Sequence, residues 1–150
     1  MKKLFINLER CFGCKRCELA CIIEHSEEKN YAYYLLNQKE PKTRIFVENY
    51  LNRPIPLVCH HCKDALCISA CISGCMQKDE KTDIVRNDNS EQKCVGCWMC
   101  ILNCPFNVID REMKNDELQA IKCDFCANRE IPACVEACPN EVISVIDINE

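Results

Sequence analysis

The chain has 150 residues, a net charge of −4 and 17 cysteines. Cysteine at this density signals a disulfide scaffold or a metal protein, and the odd count argues against a closed set of disulfides. Three glycines, at 13, 74 and 96, leave no G-x-G-x-x-G or Walker loop, the six prolines do not suffice for a collagen-like or disordered chain, and the charge gives no sign of nucleic-acid binding.

The opening residues, MKKLFINLER, contain an apolar run too short for a signal peptide and no twin-arginine motif. No apolar stretch approaches the roughly 18 residues that span a bilayer. The expectation is a cytoplasmic chain without direct membrane insertion, in a compartment where thiols stay reduced and bind metal. The length suits one domain or two very small modules.

KLFIN (3–7) reads as a strand, followed by a first motif, Cys11, Cys14, Cys17 and Cys21, spaced C-x2-C-x2-C-x3-C. ELACIIEH (18–25) reads as a short helix carrying Cys21. Residues 22–58, rich in tyrosine and charge, form the longest cysteine-free insertion, and RIFVENY (44–50) within it is a strand. The insertion is expected to cover a cluster, to meet a partner, or to be an ordinary surface loop. A second motif holds Cys59, Cys62, Cys67 and Cys71. TDIVRND (82–88) and the approach to Cys94 are expected to form a hairpin leading into the third motif, Cys94, Cys97, Cys100 and Cys104. LQAIKC (118–123) is a strand entering the fourth motif, Cys123, Cys126, Cys134 and Cys138, and VISVIDI (142–148) is a closing strand. The first and last motifs can pair if the terminal strands meet.

All four motifs end in C-x3-C, and together they use sixteen cysteines, leaving Cys75 over. The third motif, CVGCWMCILNCP, matches the bacterial ferredoxin run, in which three cysteines wrap one iron–sulfur cube and the fourth points away. Gly13 and Gly96 let the backbone approach a cube closely, and Pro105 and Pro139 redirect the chain after the last ligand. Structural zinc needs two C-x2-C pairs across a longer spacer. The second and fourth motifs alone would suit that, but three cysteines within seven residues in the first and third do not. Sixteen thiolates at four per cube predict four [4Fe–4S] clusters, whose binding is also folding energy.

His60 and His61, inside CHHC, are expected to be partly exposed spacers, although either could donate a hydrogen bond near a cluster. Trp98 is expected to shield a cube from water, and His25 to lie at the surface or at a helix cap. Histidine ligation is not expected, because cysteine completes the set. No nucleophile–base pair is recognisable, so the expectation is a non-catalytic chain.

The motif order resembles the four-cluster electron-transfer subunits of anaerobic oxidoreductases: the small subunits of formate dehydrogenases, hydrogenases and molybdopterin reductases. CKRCELAC with EHS soon after, RIFVE, and GCWMCILNCPFNVI are most similar to the subunit associated with anaerobic carbon monoxide dehydrogenase. The resemblance implies an α+β fold of two bacterial-ferredoxin-like modules with pseudo-twofold symmetry. Residues 1–28 with 112–150 would form an outer module, and 29–111 an inner one with the insertion 29–58. It implies crossed ligation: Cys11, Cys14, Cys17 and Cys138 at one cluster, and Cys123, Cys126, Cys134 and Cys21 at a second. Cys59, Cys62, Cys67 and Cys104 would hold the third, and Cys94, Cys97, Cys100 and Cys71 the fourth. It further implies electrons taken from carbon monoxide dehydrogenase and passed to a hydrogenase or a flavin NAD(P) oxidoreductase, or the corresponding role in a formate dehydrogenase. Ile22 and Ile72 depart from the proline usual after the last cysteine, and Cys75 from a small apolar residue.

Overall fold

The computed structural model describes residues 2–26, 28–37, 42–88, 91–114 and 116–148. Short helices and two-stranded antiparallel sheets alternate along the chain. The strands are β1 (Lys2–Ile6), β2 (Ile45–Tyr50), β3 (Arg53–Val58), β4 (Gln77–Lys78), β5 (Val85–Arg86), β6 (Asp110–Lys114), β7 (Glu117–Ile121) and β8 (Ile143–Asp147). The helices are α1 (Arg16–His25), α2 (Tyr31–Asn37), α3 (Leu66–Ser69), α4 (Met99–Leu102) and α5 (Ala133–Glu136). No helix among the described residues is long and apolar enough to cross a membrane.

The terminal strands do meet: β1 pairs with β8 from Lys2↔Asp147 to Ile6↔Ile143. This brings the ends of the first and last motifs together, and α1 packs on α5. In the other half α3 packs on α4. The expected strands at 3–7, 44–50, 118–123 and 142–148 are present with shifted ends, as is the helix through Cys21. Because Ile22 replaces a helix-stopping proline, α1 continues past Cys21 to His25.

Two elements differ from expectation. The hairpin after the second motif joins β4 to β5, not residues 82–88 to the approach to Cys94. Asp79 closes its turn by accepting the N–H groups of Lys81 and Thr82. The insertion carries α2 and a regular hairpin, β2–β3. Its two-residue turn, Leu51–Asn52, has both φ angles positive, the conformation of a type I′ connection. Pro54 and Pro56 in β3 share one edge by period two, so the N–H of Ile55 between them remains available to β2.

Two cores form. Ile45, Val47 and Val58 of the β2–β3 hairpin pack with Cys17, Cys21, Cys123 and Cys134 in the first. Met76, Val85, Ile109 and Ala120 pack around Cys100 in the second. In both, sulfur takes places that aliphatic side chains would fill in an ordinary small domain.

Candidate iron–sulfur sites

The ligand loops are shaped by left-handed backbone. Gly13 (φ 75°) and Lys15 (φ 59°) flank Cys14, and Gly96 (φ 66°) and Trp98 (φ 61°) flank Cys97. A non-glycine residue in this region costs roughly 1–2 kcal/mol, strain of the kind that gathers at functional sites. A Cβ on Gly13 would sit 3.0 Å from Pro54 Cβ, and one on Gly96 3.2 Å from the Leu118 carbonyl oxygen. A side chain at either position would need its neighbour to give by a few tenths of an ångström, besides adopting a positive φ. Each loop runs straight into a helix, so Cys17 and Cys100 lie in α1 and α4.

Cys11, Cys14, Cys17 and Cys138 line one pocket, closed by Val47, Pro56 and Val142. Cys59, Cys62, Cys67 and Cys104 line another, with His61, Val85 and Phe106. In each pocket the C-terminal cysteine comes from a different motif than the other three. The β2–β3 hairpin covers the first pocket through Val47 and Pro56, which gives the insertion a place at a site.

The remaining thiols are related through their mutual influence. Burial pushes Cys134 up to about 12, and neighbouring Cys21, Cys126 and Cys17 add to the shift. Burial also raises Cys123 well above its ordinary value, reinforced by Cys134 and Cys21. Cys126 is raised to about 11 by burial first, then by Asp124 and Cys21. The helix-borne Cys21 of the first motif is thus a neighbour of three cysteines of the fourth. Cys100 is raised to about 11 by burial, with Cys94, Cys71 and Cys67 adding to it. Cys97 is exposed and opens instead onto a groove lined by Trp98, Phe46 and Leu102. Trp98 stacks under the Arg111 guanidinium, 5.6 Å from its ring centroid. Buried thiols with raised pKa hold their protons at neutral pH, so a metal that binds them must displace protons.

Backbone N–H groups already point at candidate ligand sulfurs. Cys21 accepts from Arg44 at 3.3 Å, Cys59 from His61 at 3.4 Å, Cys71 from Met76 at 3.4 Å, Cys94 from Ala120 at 3.5 Å and Cys138 from Val142 at 3.3 Å. Such bonds raise the potential of an iron–sulfur centre. The donor set therefore fits iron–sulfur clusters: soft thiols in fours, apolar walls, and N–H groups directed at sulfur.

The three histidines compare differently with expectation. His61 is buried at 3% exposure and is no exposed spacer. Its Nδ1 accepts the Val85 N–H at 3.1 Å, which assigns the ring proton to Nε2, and Nε2 is buried without a hydrogen-bond partner among the described residues. Burial and the Lys122 ammonium hold its pKa down at about 3. His60 is exposed, as expected, and stacks on Phe106 at 4.2 Å. His25, the last residue of α1, lies off the surface and takes the helix-end place that was the alternative expectation. It bonds the Cys21 carbonyl at 2.8 Å through Nδ1 and Asp124 at 3.1 Å through Nε2. Burial pulls its pKa down, but the bonds to Asp124 and Cys21 outweigh that and raise it to about 10. Asp124 also takes Arg44 at 2.6 Å and the Cys126 N–H at 3.0 Å. Its carboxylate thus takes two side chains and a backbone N–H, and supports the loop that carries Cys123 and Cys126. Sequence reasoning missed Arg44, Lys122 and Asp124; only distant partners reveal them.

Residues 52–148 match the 4Fe-4S dicluster domain. The chain belongs to the 4Fe–4S dicluster family of ferredoxin-like electron-transfer proteins. An "Iron-sulfur protein" of Rhodospirillum rubrum is 32% identical over 161 residues, covering 97% of this chain and 82% of the relative. "Electron transport protein HydN" of Escherichia coli K12 is 29% identical, covering 98% and 89%. A tetrathionate reductase subunit of Salmonella typhimurium LT2 is 31% identical, covering 98% of this chain and 58% of the relative. Against two longer oxidoreductases of E. coli K12 the chain spans 21% and 20% of the relative's length. A chain of the BamBC active-site complex of benzoyl coenzyme A reductase shares the fold, with a TM-score of 0.54 at 22% identity over 97% of this chain and 76% of that one.

Cys75 is buried at 2% exposure, with its sulfur 3.6 Å from that of Cys71. It lies close to the Cys71 thiol but outside the expected set of sixteen. Cys75→Ala is expected to retain the full iron content, measured by colorimetric assay on anaerobically purified protein. A loss of about four irons, one cube's worth, would show that Cys75 is a ligand and that Cys71 was assigned wrongly.

Proposed function

We propose that this chain is a non-catalytic electron carrier that binds four [4Fe–4S] clusters through sixteen cysteines and moves single electrons between two redox enzymes. The observation that carries this reading is the crossing seen in two pockets: Cys138 joins Cys11, Cys14 and Cys17, and Cys104 joins Cys59, Cys62 and Cys67. Crossing is what two-cluster ferredoxin motifs require. By the same logic Cys21 completes the set of Cys123, Cys126 and Cys134, and Cys71 that of Cys94, Cys97 and Cys100. Two pseudo-symmetric modules follow, the outer from both chain ends and the inner from the middle, with the β2–β3 hairpin packed on the outer one. When bound, each cluster supplies one-electron chemistry at a potential set by hydrogen bonds to sulfur and by solvent exposure. The protein's part is to hold the thiolates, exclude water and aim N–H groups.

We infer the donor from CKRCELAC, RIFVE and GCWMCILNCPFNVI: a carbon monoxide dehydrogenase, with a hydrogenase or flavin NAD(P) oxidoreductase as acceptor. Oxidation of carbon monoxide by water yields carbon dioxide, two protons and two electrons, which a one-electron carrier takes singly. A catalytic amount of the dehydrogenase with carbon monoxide should bleach the visible absorbance of the protein, which alone should not respond to the gas. Added acceptor enzyme should restore the colour. Reduction by a formate dehydrogenase, but not by carbon monoxide dehydrogenase, would keep the carrier role and replace the donor.

A further inference from the structure

We propose that Lys122 is a fixed positive charge built between two of the cluster sites, and that it holds the reduction potentials of both clusters up. The proposal rests on the cluster-bearing reading given above.

Lys122 is 3% exposed. Its ammonium donates to the carbonyl oxygens of Val85 and, at 3.1 Å, of Cys123, and its Nζ lies 3.5 Å from His61 Nδ1. These partners belong to different sites. Cys123 is a ligand of the set completed by Cys21, Cys126 and Cys134. Val85 and His61 both line the pocket of Cys59, Cys62, Cys67 and Cys104. One ammonium therefore joins the walls of two sites, one from each half of the molecule. Lys122 lies close enough for its charge to act on both Cys67 and Cys123.

A buried ammonium is costly unless it is compensated. The adjacent carboxylate, Asp124, is taken by His25 and Arg44, and carbonyl dipoles alone compensate a full charge only in part. Four thiolates around a cube with a core charge of 2+ or 1+ give a net negative charge, larger in the reduced form. That supplies the missing counter-charge, and supplies more of it after reduction. In a low-dielectric interior a unit charge between two such sites favours the reduced form of each. Reduction potential in these centres follows local charge as well as hydrogen bonds to sulfur and exposure. Val85 N–H and Lys122 meet on the same side of His61, so the ring helps to keep the ammonium in place against the pocket wall.

The test uses the holo protein, purified anaerobically, with reduction potentials read by redox-poised electron paramagnetic resonance. Lys122→Gln keeps a hydrogen-bond donor but removes the charge, and Lys122→Arg keeps the charge. The signals of the two adjoining clusters are assigned by their loss in Cys123→Ala and Cys59→Ala. At the poise where those clusters are half reduced in the native protein, Lys122→Gln should lower their reduced-to-oxidised ratio at least tenfold, a shift of about 59 mV for one electron. Lys122→Arg should restore most of it, and both variants should retain native iron content. Unchanged potentials in Lys122→Gln would overturn the proposal. So would an equal shift of all clusters, or iron loss in the glutamine variant, since each would make Lys122 a structural residue. Native protein lacking four-iron clusters would instead remove the underlying reading, and iron analysis before any substitution separates the two.

Discussion

Removing the iron is expected to unfold this chain. Helices α3, α4 and α5 have four residues each, whereas isolated helices need about 12–15 residues to be even marginal in water. Among the described residues every sheet has two strands, and an isolated two-stranded hairpin is marginal at best. The two cores place Cys17, Cys21, Cys123 and Cys134, or Cys100, where aliphatic contacts would otherwise bind the elements together. With sulfur bound to iron these positions become covalent cross-links between motifs far apart in sequence. With iron gone they become desolvated thiols beside small voids, and the left-handed residues Lys15 and Trp98 lose the group that repays their strain. Holo protein should melt cooperatively and carry sixteen irons and sixteen sulfides. Anaerobic treatment with an oxidant and a chelator should abolish the melt and most of the far-ultraviolet circular dichroism. An iron-free chain with an unchanged cooperative melt would show that the fold stands without clusters. Stoichiometric zinc with negligible iron in the native protein would end the iron–sulfur reading.

The parts of this molecule that sequence reveals are those under local constraint. Ligand spacing is one: three irons of one cube must be reached within seven residues, so 11–17 and 94–100 announce themselves. The terminal strands are another, because apolar alternation in KLFIN and VISVIDI is self-contained. β3 is hidden because RPIPLV carries two prolines, and its strand character depends on β2 supplying a partner along one edge only. β6 is hidden because DREMK has no apolar period; it exists because β7 pairs with it from Asp110↔Ile121 to Lys114↔Glu117. The polar residues around the sites are less legible still. His25 meets Asp124 across 99 residues and Lys122 meets His61 across 61. No spacing rule connects such pairs, since each charge is tolerable only once the fold has delivered its partner.

The same long reach gives the second large effect. In α1, Cys17 and Cys21 are one helical turn apart, on one face, and both buried. If motifs were self-contained, both would serve a single cluster. Their surroundings differ, however. Cys17 lines the pocket of Cys11, Cys14 and Cys138, whereas Cys21 reinforces the pKa rise of Cys123, Cys126 and Cys134 and accepts the Arg44 N–H. In the proposed crossed arrangement helix α1 stands between two sites and gives one sulfur to each. Cys21→Ala is expected to lose about four irons, as one cube fails to assemble with three ligands. Double variants show which cube it is, because losses at one site do not add. In the Cys21→Ala background, Cys126→Ala should remove no further iron, while Cys14→Ala should remove about four more. The opposite pattern, with Cys14→Ala silent and Cys126→Ala costly, would assign Cys21 to its own motif, and the four motifs would then act as separate, sequential sites.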